Sequence, residues 1–450
     1  MKRFGSYLIL ALFFTAFSSF GQLKVDYTYY KLDNGLKVVL SQNTSAPLVT
    51  VAVYYNIGFR IEPRNRTGFA HLFEHMMFQG SKNLGKMEYI KLVQSNGGIL
   101  NGSTRFDFTN YFAIVPAHKL ETLLWAEADR MSGLDITEDN LINQKGVVTN
   151  EVKVNVLNQP YGGFPWLDLP QVANENWYNA HNFYGDLADL DAATLVDVKD
   201  FFSKYYIPNN AALVVTGDFD LNEAKAFIQK YFGKIPAGKL QPVPDIAEPL
   251  QQKEKISVKV DSLANKPALA LGYKMPPVGS PEYFAMGVID QILLQGQDSR
   301  LYRKLIAEKG YYSGISGGIN SGLGNMFNYN GPMLWDMYLL HEGDVKAEDI
   351  LHDIDEVITE VAEKPLSQEE INRALVKMRS NLYDVIEGSF GFGLADILAC
   401  YALFYDDPGK VNSLEDSFRK VTPELIQKTA KEYLRSSNRT VLKLVTANGN

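Results

Sequence analysis

Two stretches of the chain carry the same pattern of apolar and polar positions. "VAVYYNIGFRIEPRNRTGFAHLFEHMMFQGS" (51–81) lies on "PALALGYKMPPVGSPEYFAMGVIDQILLQGQ" (267–297) without a gap. Each begins with period-two alternation, which predicts a strand. A loop containing proline follows, and then apolar residues at helical spacing, ending in Gln-Gly. Ala52 matches Ala268, Gln79 matches Gln295 and Gly80 matches Gly296. A second pair occurs in the same order. "TLVDVKDFFSKYY" (194–206) resembles "TPELIQKTAKEYL" (422–434). Thr194 and Thr422 are predicted N-caps, because a threonine side chain accepts a hydrogen bond from an otherwise unpaired amide of the first helical turn. Each helix leads into an asparagine and a predicted strand, "AALVVTGD" from Ala211 and "TVLKLVTA" from Thr440.

The repetition predicts an α+β fold built from two duplicated α/β-sandwich domains, each a sheet packed with helices. Between them "GKIPAGKLQPVPDIAEPLQQKEK" (233–255) is rich in proline and charge, and reads as an extended linker. The expected boundaries are a signal peptide at 1–21, a first domain at 22–236, a linker at 237–255 and a homologous second domain at 256–450. Neither half has a glycine-rich phosphate loop, which argues against a nucleotide-binding fold.

The two copies differ in their chemistry. His71, Glu74 and His75 of the first helix align with Gly287, Asp290 and Gln291 of the second. Buried polar groups without partners cost several kcal/mol. A scaffold that needed histidines here for packing should need them twice, so the first copy's histidines point to function. His71 and His75 are four apart and project from one helix face. That spacing suits two ligands of a tetrahedral zinc. Glu74 sits between them in sequence and can reach the same space as a proton acceptor. The whole chain has only six histidines, so a chance match to His-x-x-Glu-His is a small risk.

Such a zinc needs a third ligand. "TEDNLINQKGVVTNEVKVNVLNQ" opens at Thr137 with acidic residues in its first turn, a helix start. Leu141, Val148 and Val152 form its apolar stripe. Glu151 follows Val148 by three, which places it beside the stripe and makes it the candidate third ligand; an ordinary surface glutamate is the alternative. Gln144 lies two turns earlier on the same face.

These residues resemble the inverted zinc motif of the pitrilysin family, which includes insulin-degrading enzyme and the mitochondrial processing peptidases. The resemblance rests on "HLFEH" followed by "VVTNEV", and on "GFRIEPRNRTGFAHLFEHMMFQGS", "NGGILNGSTRFDFTNYFAIVP", "YYIPNNAALVVTGDFD" and "SRLYRKLIAEKGYYSGI". It implies one zinc per chain, bound by His71, His75 and Glu151, with Glu74 as general base. The implied activity is endopeptidase hydrolysis of peptides or unfolded segments by a zinc-activated water. The length matches half-size members, which pair two chains, so a homodimer or a heterodimer with a related chain is expected. The alternative is a weakly active or non-catalytic partner subunit of such a pair. The resemblance places Asn101 beside the substrate, and Arg300 with Tyr311 or Tyr312 as substrate-holding residues, the register between the tyrosines being open. It also has Gly102 where alanine is usual. Gln144 stands where many members carry a glutamate next to the metal ligands, so the negative charge is missing there. Separately, "FDFTNYFAI" (106–114) alternates like a strand after a glycine-rich turn. It is a candidate exposed edge for an extended peptide, the alternative being an internal strand.

The remaining composition restricts partners and compartment. The net charge of -8 argues against a general nucleic-acid binder. Lys2 and Arg3 precede "YLILALFFTAF", with Ser19 and Gly21 at cleavage positions. This predicts an export signal, a periplasmic or secreted location and no membrane span in the mature form; an uncleaved anchor is the alternative. The single cysteine, Cys400, excludes a disulfide within the chain.

Overall fold

The computed structural model of the protein describes residues 23–447, so the predicted export signal lies outside the described residues. Six strands form the first sheet: β1 (Thr28–Lys31), β2 (Lys37–Gln42), β3 (Leu48–Tyr55), β4 (Ile99–Thr104), β5 (Thr109–Pro116) and β6 (Ala211–Gly217). Their spatial order is β1-β2-β6-β3-β5-β4. Five form the second: β7 (Lys255–Asp261), β8 (Ala268–Lys274), β9 (Ser316–Ile319), β10 (Leu334–Leu340) and β11 (Arg439–Thr446), in the order β7-β11-β8-β10-β9. Without β1 the two orders coincide. The pair β2–β6 is parallel, as is β7–β11, and the other neighbours run antiparallel. The duplicated α+β architecture read from the sequence is thus present in strand order and direction, not only in pattern.

The helices follow the same duplication. Those that matter here are α1 (Phe69–Met76), α2 (Glu138–Val152), α3 (Leu195–Tyr205), α4 (Pro281–Leu293), α5 (Ala347–Glu363), α6 (Gln368–Gly391), α7 (Gly393–Tyr405) and α8 (Pro423–Tyr433). The predicted N-caps are in place. Thr137 accepts from the amide of Asn140, and Thr422 from that of Leu425. Thr194 and Asp197 form a reciprocal capping box.

The first sheet is covered on both faces, and this departs from the picture of two bodies joined by a linker. Val51 and Val53 point, with Val38, Leu213 and Val215, into a core completed by Phe69, Leu72 and Phe73 of α1. Ala52 and Tyr54 point the other way, with Val39 and Val214, into a core shared with the second half. Helix α7 closes that side. Its Ala395, Leu398, Ala399 and Ala402 are fully buried there. Tyr54 donates to Asp396 at 2.6 Å, and Lys37 donates to the carbonyls of Ala402 and Leu403 at the α7 C-terminus, where a cation is favoured. The two sheets therefore share a continuous apolar interior. Residues 237–254 carry no helix or strand, yet Glu248 pairs with the buried Lys274 at 2.8 Å and accepts from the amide of Glu175.

A charged knot ties the halves next to α1. The Arg60 side chain is fully buried, and its Nε lies 2.6 Å from Asp107 Oδ1. Asp107 Oδ2 accepts from the amides of Asn330 and Gly331 of the second half. Removing one member leaves the other charge buried without compensation. Asp107→Ala is expected to lower stability by about 3–5 kcal/mol, read as a fall in the urea unfolding midpoint.

Candidate metal centre

Helix α1 is short, and its position depends on how its N-terminus is held. Gly68 precedes it at φ 81°, and a Cβ there would meet the Tyr184 carbonyl oxygen at 2.5 Å. Only glycine allows both the left-handed turn and this approach. The first amides of a helix lack partners within it. Two are satisfied by one buried carboxylate: Glu62 accepts from Gly68 N at 2.9 Å and from Ala70 N at 2.5 Å. Glu62 in turn faces His181 Nε2 at 3.7 Å.

The surroundings of His181 favour its charged form. Its Nδ1 lies 3.0 Å from the Trp177 carbonyl oxygen, and its Nε2 contacts the Phe59 carbonyl oxygen. Both ring nitrogens thus face acceptors, and only the imidazolium donates from both. Burial opposes that charge, but Glu62 and the two carbonyls outweigh it and raise the pKa above the ordinary histidine value. Burial likewise raises the Glu62 carboxyl, against the pull of His181 and the two amides. The segment beyond His181 continues the attachment. Asp189 accepts from the Thr67 hydroxyl at 2.6 Å, and the amide of Asp186 donates to Thr67 Oγ1.

On this support the structure brings His71, His75 and Glu151 together, with one ligand atom from each within 4.8 Å of the others. The two Nε2 atoms are 3.3 Å apart. His75 Nε2 lies 3.3 Å from Glu151 Oε2, and His71 Nε2 lies 3.7 Å from Oε1. Ligands on a tetrahedral zinc with bonds near 2.0 Å stand about 3.3 Å apart, so the spacing fits that ion. Protonation fits as well. Burial, then the neighbouring His75, lower the His71 pKa to about 3, which leaves a neutral imidazole. Burial opposes charge on Glu151, but the two histidines and Tyr184 outweigh it and hold the carboxyl below its usual range. Glu151 is placed as its spacing implied: Leu141, Val148 and Val152 are buried beside it on α2.

Glu74 stands outside this set of three. Its Oε2 accepts from the Thr104 hydroxyl of β4 at 2.8 Å, and burial lifts its carboxyl above the ordinary value, against Thr104, His75 and Arg105. A methyl group at Gly102 would come within 3.2 Å of Glu74 Cγ, so glycine there leaves this side chain more room than alanine does.

Several groups at the site had not been singled out from the sequence. Tyr184 donates to Glu151 Oε1 at 3.1 Å. Phe183 packs on the His71 ring with centroids 4.4 Å apart. Among the described residues the buried His71 Nδ1 has no hydrogen-bond partner, so this packing is what the ring's far side meets. Glu62, His181, Phe183 and Tyr184 have no spacing relation to the histidine pair, and only the fold unites them. The "EP" and "HNFYGD" surroundings offered no more than polar residues near turns.

The other expected site residues fall in different places. Gln144 is buried on α2, and its amide donates to Asn143 at 2.7 Å. Asn101 is exposed on β4, its Oδ1 accepting from the amide of Gly102. Arg300 forms two hydrogen bonds to Glu370 and lines a cleft of about 1020 Å³ between α5 and α6. Tyr311 donates to Asp353 at 2.5 Å, and Tyr312 sits under Lys266. The partners of Arg300, Tyr311 and Tyr312 all belong to the second half. The exposed edge expected within 106–114 is not found: β5 pairs with β3 on one side and β4 on the other, and β4 is the edge strand. At the second half's counterpart of the metal site, Gln291 accepts from Asn381 of α6 at 3.3 Å, an amide pair in place of His75 and Glu151.

The His181 latch makes a pH-dependent prediction. The His181 pKa is raised in the folded protein, so at this group the fold holds a proton more tightly than the unfolded chain does. The stability this contributes is full below the unfolded histidine value of about 6.5 and is lost as pH rises through the raised folded value. His181→Gln is expected to cost about 1–3 kcal/mol at pH 6. The difference from wild type should narrow in alkaline buffer, as measured by urea unfolding across pH.

Comparison with known proteins agrees with the geometry. The profile described as Insulinase (Peptidase family M16) matches residues 37–161, and that described as Peptidase M16 inactive domain matches 192–378. Zinc protease PqqE of Helicobacter pylori is 26% identical over 420 residues, 91% of each chain. The crystal structure of a protease from Helicobacter pylori superimposes with a TM-score of 0.85 at 24% identity, covering 94% of this chain and 100% of that one. The periplasmic protease PqqL from Escherichia coli gives 0.75 at 18% identity, covering 95% of this chain and 48% of that one. One family's profiles match a segment that holds the histidine pair and a segment that runs from the end of the first half through most of the second; the chain is a member of peptidase family M16.

Proposed function

We propose that this chain is a zinc endopeptidase that hydrolyses peptides or unfolded segments, with Glu74 as its general base. The observation that carries this reading is the convergence of His71, His75 and Glu151 at the spacing of zinc ligands, with Glu74 outside the set. His71, His75 and Glu151 would hold the zinc, which supplies a Lewis acid that acidifies water and polarises the scissile carbonyl. Glu74 takes the proton from the attacking water. Its raised pKa makes it a stronger base than a solvated carboxylate, and the Thr104 hydroxyl fixes one of its oxygens. The same carboxyl then gives the proton to the leaving amine nitrogen. No acyl-enzyme forms, so the buried Cys400 has no role.

The open edge of β4 lies beside Glu74 and offers main-chain groups to an extended peptide, with Asn101 at its rim. Arg300 and Tyr311 or Tyr312 reach a substrate only by leaving their second-half partners or by serving the cleft of a paired chain. PqqL is about twice as long as this chain, which supports pairing of two copies or of two related chains. Export rests on the first 21 residues. Among the described residues no single helix is long and apolar enough to cross a membrane.

Glu74→Gln is expected to retain one zinc per chain and lose cleavage of an unstructured peptide by about 10²–10⁴-fold. His71→Ala is expected to lose both zinc and cleavage. Metal analysis with peptide hydrolysis checks the pair. A fully zinc-loaded wild type that cleaves nothing, alone or with a related chain, would refute the reading and favour a non-catalytic subunit, for which the missing charge at Gln144 is the one argument.

A further inference from the structure

The duplicated sheets differ at one edge. In the first, β1 covers the outer edge of β2, running antiparallel to it. In the second, β7 takes the place of β2, since it is parallel to β11 as β2 is to β6. Among the described residues no strand lies on the outer edge of β7. Its side chains alternate: Ile256, Val258 and Val260 are 58%, 59% and 67% exposed. Lys255 and Lys259 are engaged on the opposite face, where Lys255 donates to the Ala173 carbonyl and Lys259 to that of Gly162 and to Asp168. Proteins normally shield such an edge, because its free main-chain groups and β-branched side chains accept another strand.

We propose that β7 pairs with β7 of a second copy, antiparallel, about a two-fold axis through Val258. A two-fold gives the antiparallel direction that β1 has on β2, and makes the contact self-complementary. The charges of "KISVKVD" select the register. With Val258 opposite itself, Lys255 of one copy faces Asp261 of the other, Ile256 faces Val260 and Ser257 faces Lys259. A slip of two residues places Lys255 opposite Lys259 in one direction, or Lys259 opposite itself in the other. A slip of one residue sets apolar side chains against charged ones. Only the Val258-centred register keeps the apolar row continuous and opposes no like charges. The joined sheet has ten strands. The contact involves no residue of the metal centre, so it does not depend on the peptidase reading.

The test uses single cysteines in the full-length chain, whose native Cys400 is buried. Opposed Cα atoms in an antiparallel pair lie about 4.5–5.5 Å apart, within reach of a disulfide. Val258→Cys, purified without reductant, should form a covalent dimer. Ile256→Cys alone should not, but should cross-link when mixed with Val260→Cys. Val258→Lys, a change at an exposed position, should halve the mass of the assembly in sedimentation velocity at micromolar concentration, dimer to monomer or, where copies also pair across the clefts, tetramer to dimer, while keeping its zinc content. A monomeric wild type would overturn the proposal. So would a Val258→Cys protein that stays uncrosslinked, or an assembly whose mass Val258→Lys leaves unchanged, as it would be if the edge were covered by the chain's own terminus and the copies met elsewhere.

Discussion

Glu62 carries the restraint on which the site depends. Its two oxygens accept from the amides of Gly68 and Ala70 at the start of α1, and it faces an imidazole whose two ring nitrogens lie against carbonyls. Helix α1 has eight residues and would be unstable alone. It is fixed instead by this cap at one end and by Phe69, Leu72 and Phe73 pressed into the first core. The segment that supplies His181 also supplies Phe183 and Tyr184, which set the His71 ring and the Glu151 carboxylate. One loop therefore contacts ligands that come from two helices.

Duplication explains why a metal centre could be built here. The second half has the same strand order and an equivalent helix α4, yet its polar positions are satisfied by partners within that half. Asp290 accepts from the Trp335 indole at 2.7 Å, and burial pushes its pKa up to about 6. Gln291 and Asn381 satisfy each other where His75 and Glu151 converge in the first half. The scaffold tolerates buried polar groups at this spot in both copies. Only in the first do their lone pairs converge on a common point.

Much of this was readable in the chain. The repeat predicted two like sheets, the threonine caps predicted helix starts, and the four-residue spacing put two histidines on one face, with Glu151 beside its apolar stripe a candidate third that the resemblance singled out. What could not be read has a common cause. Alternation in 106–114 reports a strand but not its neighbours; β5 is buried on both faces and flanked on both edges, while the glycine-containing "ILNGST" is the edge strand. Glu62 and His181 are 119 residues apart, and no local periodicity links them. Helix α7, assigned by sequence order to the second domain, closes the far face of the first sheet, because an apolar helix carries no mark of which sheet it will cover. The placement of Arg300 and the tyrosines came from resemblance alone, and their side chains find local partners in the second half.

The central claim is that His71, His75 and Glu151 form one zinc site. Anomalous scattering at the zinc edge, from crystals of the protein grown with zinc, tests it directly. The account predicts one strong peak per chain, about 2.0–2.2 Å from His71 Nε2, His75 Nε2 and a Glu151 oxygen. No peak at that point, or a peak held by other side chains while these three remain unligated, would contradict it.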